Sequence, residues 1–125
     1  MDGEIRPATV KERLDDGDLL VVDIRPPKAF DSGHIPGSTN LPFQRLAVEV
    51  ERVAGHDHVV TVCPHGKASV QAARLIASYE GFDGTVESMA GGLTEWEWEL
   101  DRADSTGDPD EGPTAGAGSG SDAPF

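Results

Sequence analysis

Basic side chains are scarce in this chain. Lysine and arginine together number 10, against 23 aspartates and glutamates, and the formal charge at neutral pH is −13. A nucleic-acid-binding surface needs clustered cations, so that class is excluded, and an anionic membrane surface repels such a chain. Cysteine is scarcer still. Cys63 stands alone, so no internal disulfide forms and a cross-linked secreted scaffold is excluded. No apolar run approaches the ~20 residues of a membrane span. The stretch MDGEIRP has none of the apolar character of a signal peptide. The expectation from these absences is a soluble, cytoplasmic protein. Lysine is rare even among the bases, and an acidic, lysine-poor composition resembles that of proteins from salt-loving organisms, where salt screens the repulsion between carboxylates.

What is present suits one domain. The chain has 125 residues and 37% hydrophobic content, enough for a single core without disulfide staples. The final segment, DRADSTGDPDEGPTAGAGSGSDAPF, is Gly, Ser, Asp, Ala and Pro with almost nothing to bury. The expected division is a folded domain over 1–102 and a disordered acidic tail over 103–125.

Helical and strand patterns alternate through the folded part. Ile5 opens with a short strand. Pro7 suits a first helical turn, Val10 and Leu14 share one face, and Gly17 ends the helix. The run from Leu19 to Ile24 is continuously apolar, as in a strand buried on both faces. Leu46, Val50 and Val53 give helical spacing from Phe43 to Val53. Val59 to Val62 is a second buried strand. Ala68 to Tyr79 is a helix with Val70, Ala73, Ile76 and Ala77 on one face. Thr85 to Met89 is a further strand, Gly91-Gly92 a turn, and Leu93 to Leu100 a final helix with Trp96 and Leu100 inward. This order predicts an α/β fold, a mostly parallel central sheet with helices on both faces. Sites in such sheets lie at the carboxyl ends of strands, and Cys63 stands at one.

The lone thiol has two readings. As a small hydrophobe it would simply end a core strand. The loop that follows, Cys63-Pro64-His65-Gly66-Lys67-Ala68, favours a reactive thiol. A strand–loop–helix turn aims backbone N–H groups inward, and the helix N-terminus adds partial positive charge. Lys67 supplies a cation and His65 is a second candidate; both favour a thiolate. Gly66 allows close backbone approach. With no second cysteine, a disulfide shuttle needs an outside partner, whereas capture of a group on sulfur, such as a persulfide, needs one thiol.

Three stretches together resemble the single-domain rhodanese (thiosulfate sulfurtransferase) family. VVDIRPPKAFDSGHIPGSTNLP, Val21 to Pro42, is similar to the first signature. CPHGKAS is similar to the active-site loop, with cysteine leading six residues. MAGGLTEWEWE, Met89 to Glu99, is similar to the closing signature. The resemblance spans about residues 4–100. It implies a rhodanese-like fold and a sulfurtransferase that passes sulfane sulfur from thiosulfate or a similar donor to a thiol, protein or other nucleophilic acceptor through a Cys63 persulfide. By the same resemblance, Pro64, His65, Gly66, Lys67, Ala68 and Ser69 bind substrate, with Lys67 on the donor's sulfonate. Asp23, Arg25 and His34 give structural support. No cofactor and no metal are implied.

The pattern has departures. A basic residue common in this loop is replaced by Ala68. Ala29 stands where a glutamate usually pairs with the arginine, which leaves Asp31 as the candidate partner for Arg25. Two other functions compete. A phosphatase of the Cys-x5-Arg type requires arginine at position 69, where Ser69 stands, and Arg74 lies more than a turn beyond. A non-catalytic binding or regulatory module of the same fold has no need of the thiol that this chain keeps. His56 and His58 could suggest a metal pair, but without a third ligand a solvated turn before the strand is the expectation. Trp96 and Trp98, two apart on a helix, are expected to face different directions.

Overall fold

The structure is a computed structural model that describes residues 3–17 and 19–102. The tail expected over 103–125 lies outside the described residues. In chain order the elements are β1 (Glu4–Ile5), α1 (Pro7–Asp16), β2 (Leu20–Asp23), α2 (Pro27–Ser32), β3 (Thr39–Asn40), α3 (Phe43–Glu49), α4 (Glu51–Ala54), β4 (His58–Val62), α5 (Ala68–Ser78) and β5 (Thr85–Met89). A single turn of 3-10 helix, Gly92–Glu95, follows β5. The five strands form one parallel sheet in the order β1-β5-β4-β2-β3.

Alternation along the central strands splits the core in two. Val59 of β4 points to one face, where α3, α4 and α5 bring Leu46, Val50, Val53, Ala72, Ala73 and Ile76. Val60 and Val62 point to the other, with Val10 of α1, Ile35 and Met89. Both faces are therefore covered, which is why the strands read as near-continuous apolar runs. Ile76 is fully buried. Ile76→Ala is expected to lower the unfolding free energy by about 2–5 kcal/mol, measured by urea titration; a loss below about 1 kcal/mol contradicts this packing.

Several sequence expectations are corrected. The stretch from Phe43 to Val53 is two short helices that meet at Val50, not one. On α5 the buried residues are Ser69, Ala72, Ala73 and Ile76, whereas Val70 and Ala77 are half-buried, so the inward face is rotated from the expected one. The final helix does not form. Gly91 and Gly92 have φ of 74° and 63°, and after Glu95 the chain extends, with Trp96 at φ −79°, ψ 121°. Two contacts require this course. Asp101 bonds through its backbone to His34 as an isolated antiparallel bridge, and the first residues of the 3-10 turn spend their N–H groups on the Cys63 loop. Trp96 packs half-buried against the α1-side core, but Leu100 is 45% exposed. The two tryptophans do not diverge. Their rings meet edge to face with centroids 5.0 Å apart.

Candidate active site

β4 ends at Val62, and its parallel neighbour β2 ends opposite, at Asp23. The chain then leaves the sheet through residues 63–67 and enters α5. Cys63 is 2% exposed and belongs to the core cluster on the α5 side. It is thus both a buried residue and the floor of a loop. Two amides donate to its sulfur, the Gly66 N–H at 3.1 Å and the Ser69 N–H at 3.3 Å, and its own S–H donates to the Ser69 hydroxyl oxygen at 3.3 Å, a contact whose direction reverses when the thiol ionises. Gly66 has φ 83°, the left-handed conformation that turns its N–H inward. Burial pushes the thiol pKa up. The Ser69 hydroxyl and the N–H groups of Ser69, Gly66 and His65 outweigh it, and the thiol titrates below its ordinary value. The first turn of the 11-residue helix α5 adds its own favourable field.

The loop is held from below and from the side. Thr61 of β4 donates its hydroxyl to the Ser69 carbonyl at 2.7 Å, and the hydroxyls of Ser69 and Ser88 lie 2.7 Å apart. The 3-10 turn closes the other flank. Leu93 N–H donates to the Cys63 carbonyl at 2.9 Å, and Thr94 N–H donates to the Pro64 carbonyl at 3.1 Å. Such close passage works because position 92 has no side chain. A Cβ there would lie 2.6 Å from the Gly66 nitrogen and from the Pro64 carbonyl carbon, and nearer still to the Cys63 carbonyl oxygen.

The residues expected to bind substrate fall into two groups. Gly66 and Ser69 are buried against the sulfur, and the His65 backbone joins them. Pro64, Lys67, Ala68 and the rest of His65 are exposed on the rim. Lys67 occupies the N-cap of α5 and, among the described residues, has no ion-pair partner.

Asp23, Arg25 and His34 lie in the framework beside the cradle. The Arg25 partner is Asp23, not Asp31: Nε reaches both carboxylate oxygens at 3.0 and 3.1 Å, and Nη2 lies 2.8 Å from Oδ2. Nη2 also donates to the Gly33 carbonyl at 2.7 Å. Asp31 is exposed on α2, whereas Asp23 is 1% exposed and two residues away, which makes it the partner with the stronger claim. His34 stacks on Phe30 with ring centroids 3.7 Å apart and places Nδ1 2.7 Å from the Phe30 carbonyl.

The two histidines before and in β4 do not form a metal pair. His58 binds Glu87 Oε1 through Nε2 at 2.6 Å, while His56 is exposed in the preceding turn. Among the described residues no group of three or more His, Cys, Asp or Glu is placed to hold a metal ion. Among the described residues no helix is long and apolar enough to cross a membrane. Sequence reasoning missed Thr61, Ser88 and Gly92 as parts of the site. Their signals were a hydroxyl inside the Val59–Val62 run, another in the apolar end of β5, and a glycine pair read as a turn and as part of the closing signature but not as a wall of the loop.

Residues 6–99 match the rhodanese-like domain, and the chain belongs to that family. It is 38% identical over 90 residues to the thiosulfate sulfurtransferase GlpE of Pseudoalteromonas translucida, covering 72% of this chain and 84% of that protein. It is 30% identical over 92 residues to an HTH-type transcriptional regulator of Mycobacterium tuberculosis, covering 74% of this chain and 40% of that protein. The human single-domain sulfurtransferase TSTD1 superposes with a TM-score of 0.65 at 25% identity, covering 74% of this chain and 93% of that one.

Proposed function

We propose that this protein is a sulfurtransferase that carries sulfane sulfur on Cys63. The observation behind this reading is the convergence of the Gly66 and Ser69 amides on one buried sulfur, with the Ser69 hydroxyl 3.3 Å away and able to donate once the sulfur is ionised. Those donors favour the thiolate and can stabilise the negative terminal sulfur of a persulfide. In the first half-reaction the Cys63 thiolate attacks the outer sulfur of thiosulfate or a similar donor. A new S–S bond forms, the donor's S–S bond breaks, and sulfite, or the remainder of another donor, leaves with the bonding electron pair. In the second, a nucleophile such as cyanide or a thiol attacks the terminal sulfur. The Cys63–sulfur bond breaks and its electrons return to Cys63 as thiolate. Charge and atoms balance at each step, and no cofactor or metal takes part. The acceptor is a small nucleophile or a thiol, free or on a protein.

The test is thiocyanate formation from thiosulfate and cyanide by the full chain. Turnover supports the reading. Absence of sulfur uptake from any sulfane donor overturns it and leaves a binding module as the better account. Ser69 and the exposed position of Arg74 give a phosphate dianion no guanidinium clamp at the loop. Lys67 is the loop's fixed cation and is exposed on the rim, so Lys67→Ala is expected to raise KM for thiosulfate about 3- to 10-fold. Its kcat and melting temperature should change little. An unchanged KM removes Lys67 from donor binding.

A further inference from the structure

Ser88 of β5 lies at the site yet plays no part in the chemistry above. It is fully buried, as is Ser69, and Cys63 is 2% exposed. The three form a chain: Cys63 Sγ to Ser69 Oγ at 3.3 Å, then Ser69 Oγ to Ser88 Oγ at 2.7 Å. Thr61 and Ser88 are paired across β4 and β5 and reach the same residue, one binding the Ser69 carbonyl and the other its hydroxyl.

Counting protons gives this chain a direction. With the thiol protonated, three hydrogens share two contacts, and one donor is stranded in a site closed to water. With the thiol ionised, Ser88 donates to Ser69 and Ser69 donates to the sulfur, so both hydroxyl protons are used. A donor that itself accepts a hydrogen bond is a stronger donor. Without Ser88, the Ser69 oxygen accepts nothing when the sulfur is ionised, but it can still take the thiol proton when the sulfur is not. We propose that Ser88 is a positioning residue which, through Ser69, holds the Cys63 sulfur ionised and aimed for attack. This rests on Cys63 being the sulfur carrier.

Other charges around the thiol are His65 and Lys67 on its loop, the Asp23–Arg25 pair at the end of β2, and Glu95 packed against Gly91. Glu87, next to Ser88, is bound to His58. Ser88→Ala alters none of them. Because Cys63 is the sole cysteine, the ultraviolet absorbance of its thiolate reports one group.

The experiment titrates that absorbance in the full chain and in Ser88→Ala. The midpoint is expected to rise by about one pH unit. Below it kcat/KM for thiosulfate falls up to about tenfold, and above it the two proteins converge. Ser88→Thr, which keeps the hydroxyl, restores the midpoint. Ile76→Ala, a packing control in the core under α5, lowers the melting temperature and leaves the midpoint in place. An unmoved midpoint in folded Ser88→Ala, or an equal shift in Ile76→Ala, overturns the proposal. If Ser88→Ala does not fold, the native protein still decides: the Ser88 Cβ resonance must titrate with the Cys63 midpoint, and a flat resonance overturns the role. A shifted midpoint in a protein that takes up no sulfur refutes the sulfur-carrier reading, and with it the aim for attack, and leaves only the hold of Ser88 on the ionised sulfur standing.

Discussion

Cys63→Ser is expected to abolish thiocyanate formation, by about 10³-fold or more, while the protein stays folded. Oxygen and sulfur are close in shape here, and the amides of Gly66 and Ser69 can still donate to a hydroxyl. The cradle therefore survives the change. What is lost is chemical. A serine hydroxyl stays protonated where the thiol ionises, and it forms no persulfide. Neither half-reaction can start. Steady-state thiocyanate release measures the loss, and thermal melting checks that it is not unfolding. Retained turnover in this variant would dismiss the covalent mechanism, since the chain has no second thiol to take over.

Gly92→Ala is expected to be nearly as damaging for a purely geometric reason. At φ 63° any side chain is strained, and the added Cβ would press on the Cys63 carbonyl oxygen, the Gly66 nitrogen and the Pro64 carbonyl carbon. All three are backbone atoms, so no side chain can swing aside. Either the loop or the Gly-Gly turn must move, and each movement breaks the bonds from Leu93 and Thr94 to the loop. Strain and overpacking together are expected to cost about 3 kcal/mol or more, a fall of roughly 10–20 °C in melting temperature. Sulfur transfer should drop to background because the amides no longer converge on the thiol. Gly37→Ala is the control. Gly37 has φ 81°, but a Cβ there meets nothing within 4 Å, so only about 1 kcal/mol of backbone strain applies. Equal effects from the two substitutions would refute the close-packing argument.

Much of this site was legible in the sequence because its logic is local. The apolar run ending on Cys63, the small loop and the helical pattern after it specify strand, turn and helix through neighbouring residues alone. The alternation of elements likewise gave a parallel sheet with both faces covered. Illegible parts depend on residues far apart in the chain, on the course of a turn, or on elements too short to show a pattern. The 3-10 turn at Gly92–Glu95 replaced an expected helix because its N–H groups serve a loop about 30 residues earlier, and helical periodicity carries no record of that. Arg25 pairs with Asp23, two residues away, because the turn after β2 folds the guanidinium back over its own carboxylate. Ser88 reads as an ordinary half of β5 until strand pairing sets it beside Thr61 and beneath Ser69. Short elements such as α2 and β3 carry too few residues to show a period at all.

The claim at the centre of this account is that Cys63 holds sulfur covalently. Intact-protein mass spectrometry after incubation with thiosulfate addresses it most directly. The native chain should gain the mass of one sulfur atom, lose it on adding cyanide, and show neither change as Cys63→Ser. A native chain that keeps its mass with thiosulfate and with every other sulfane donor tried, or a Cys63→Ser chain that gains the sulfur, would contradict it.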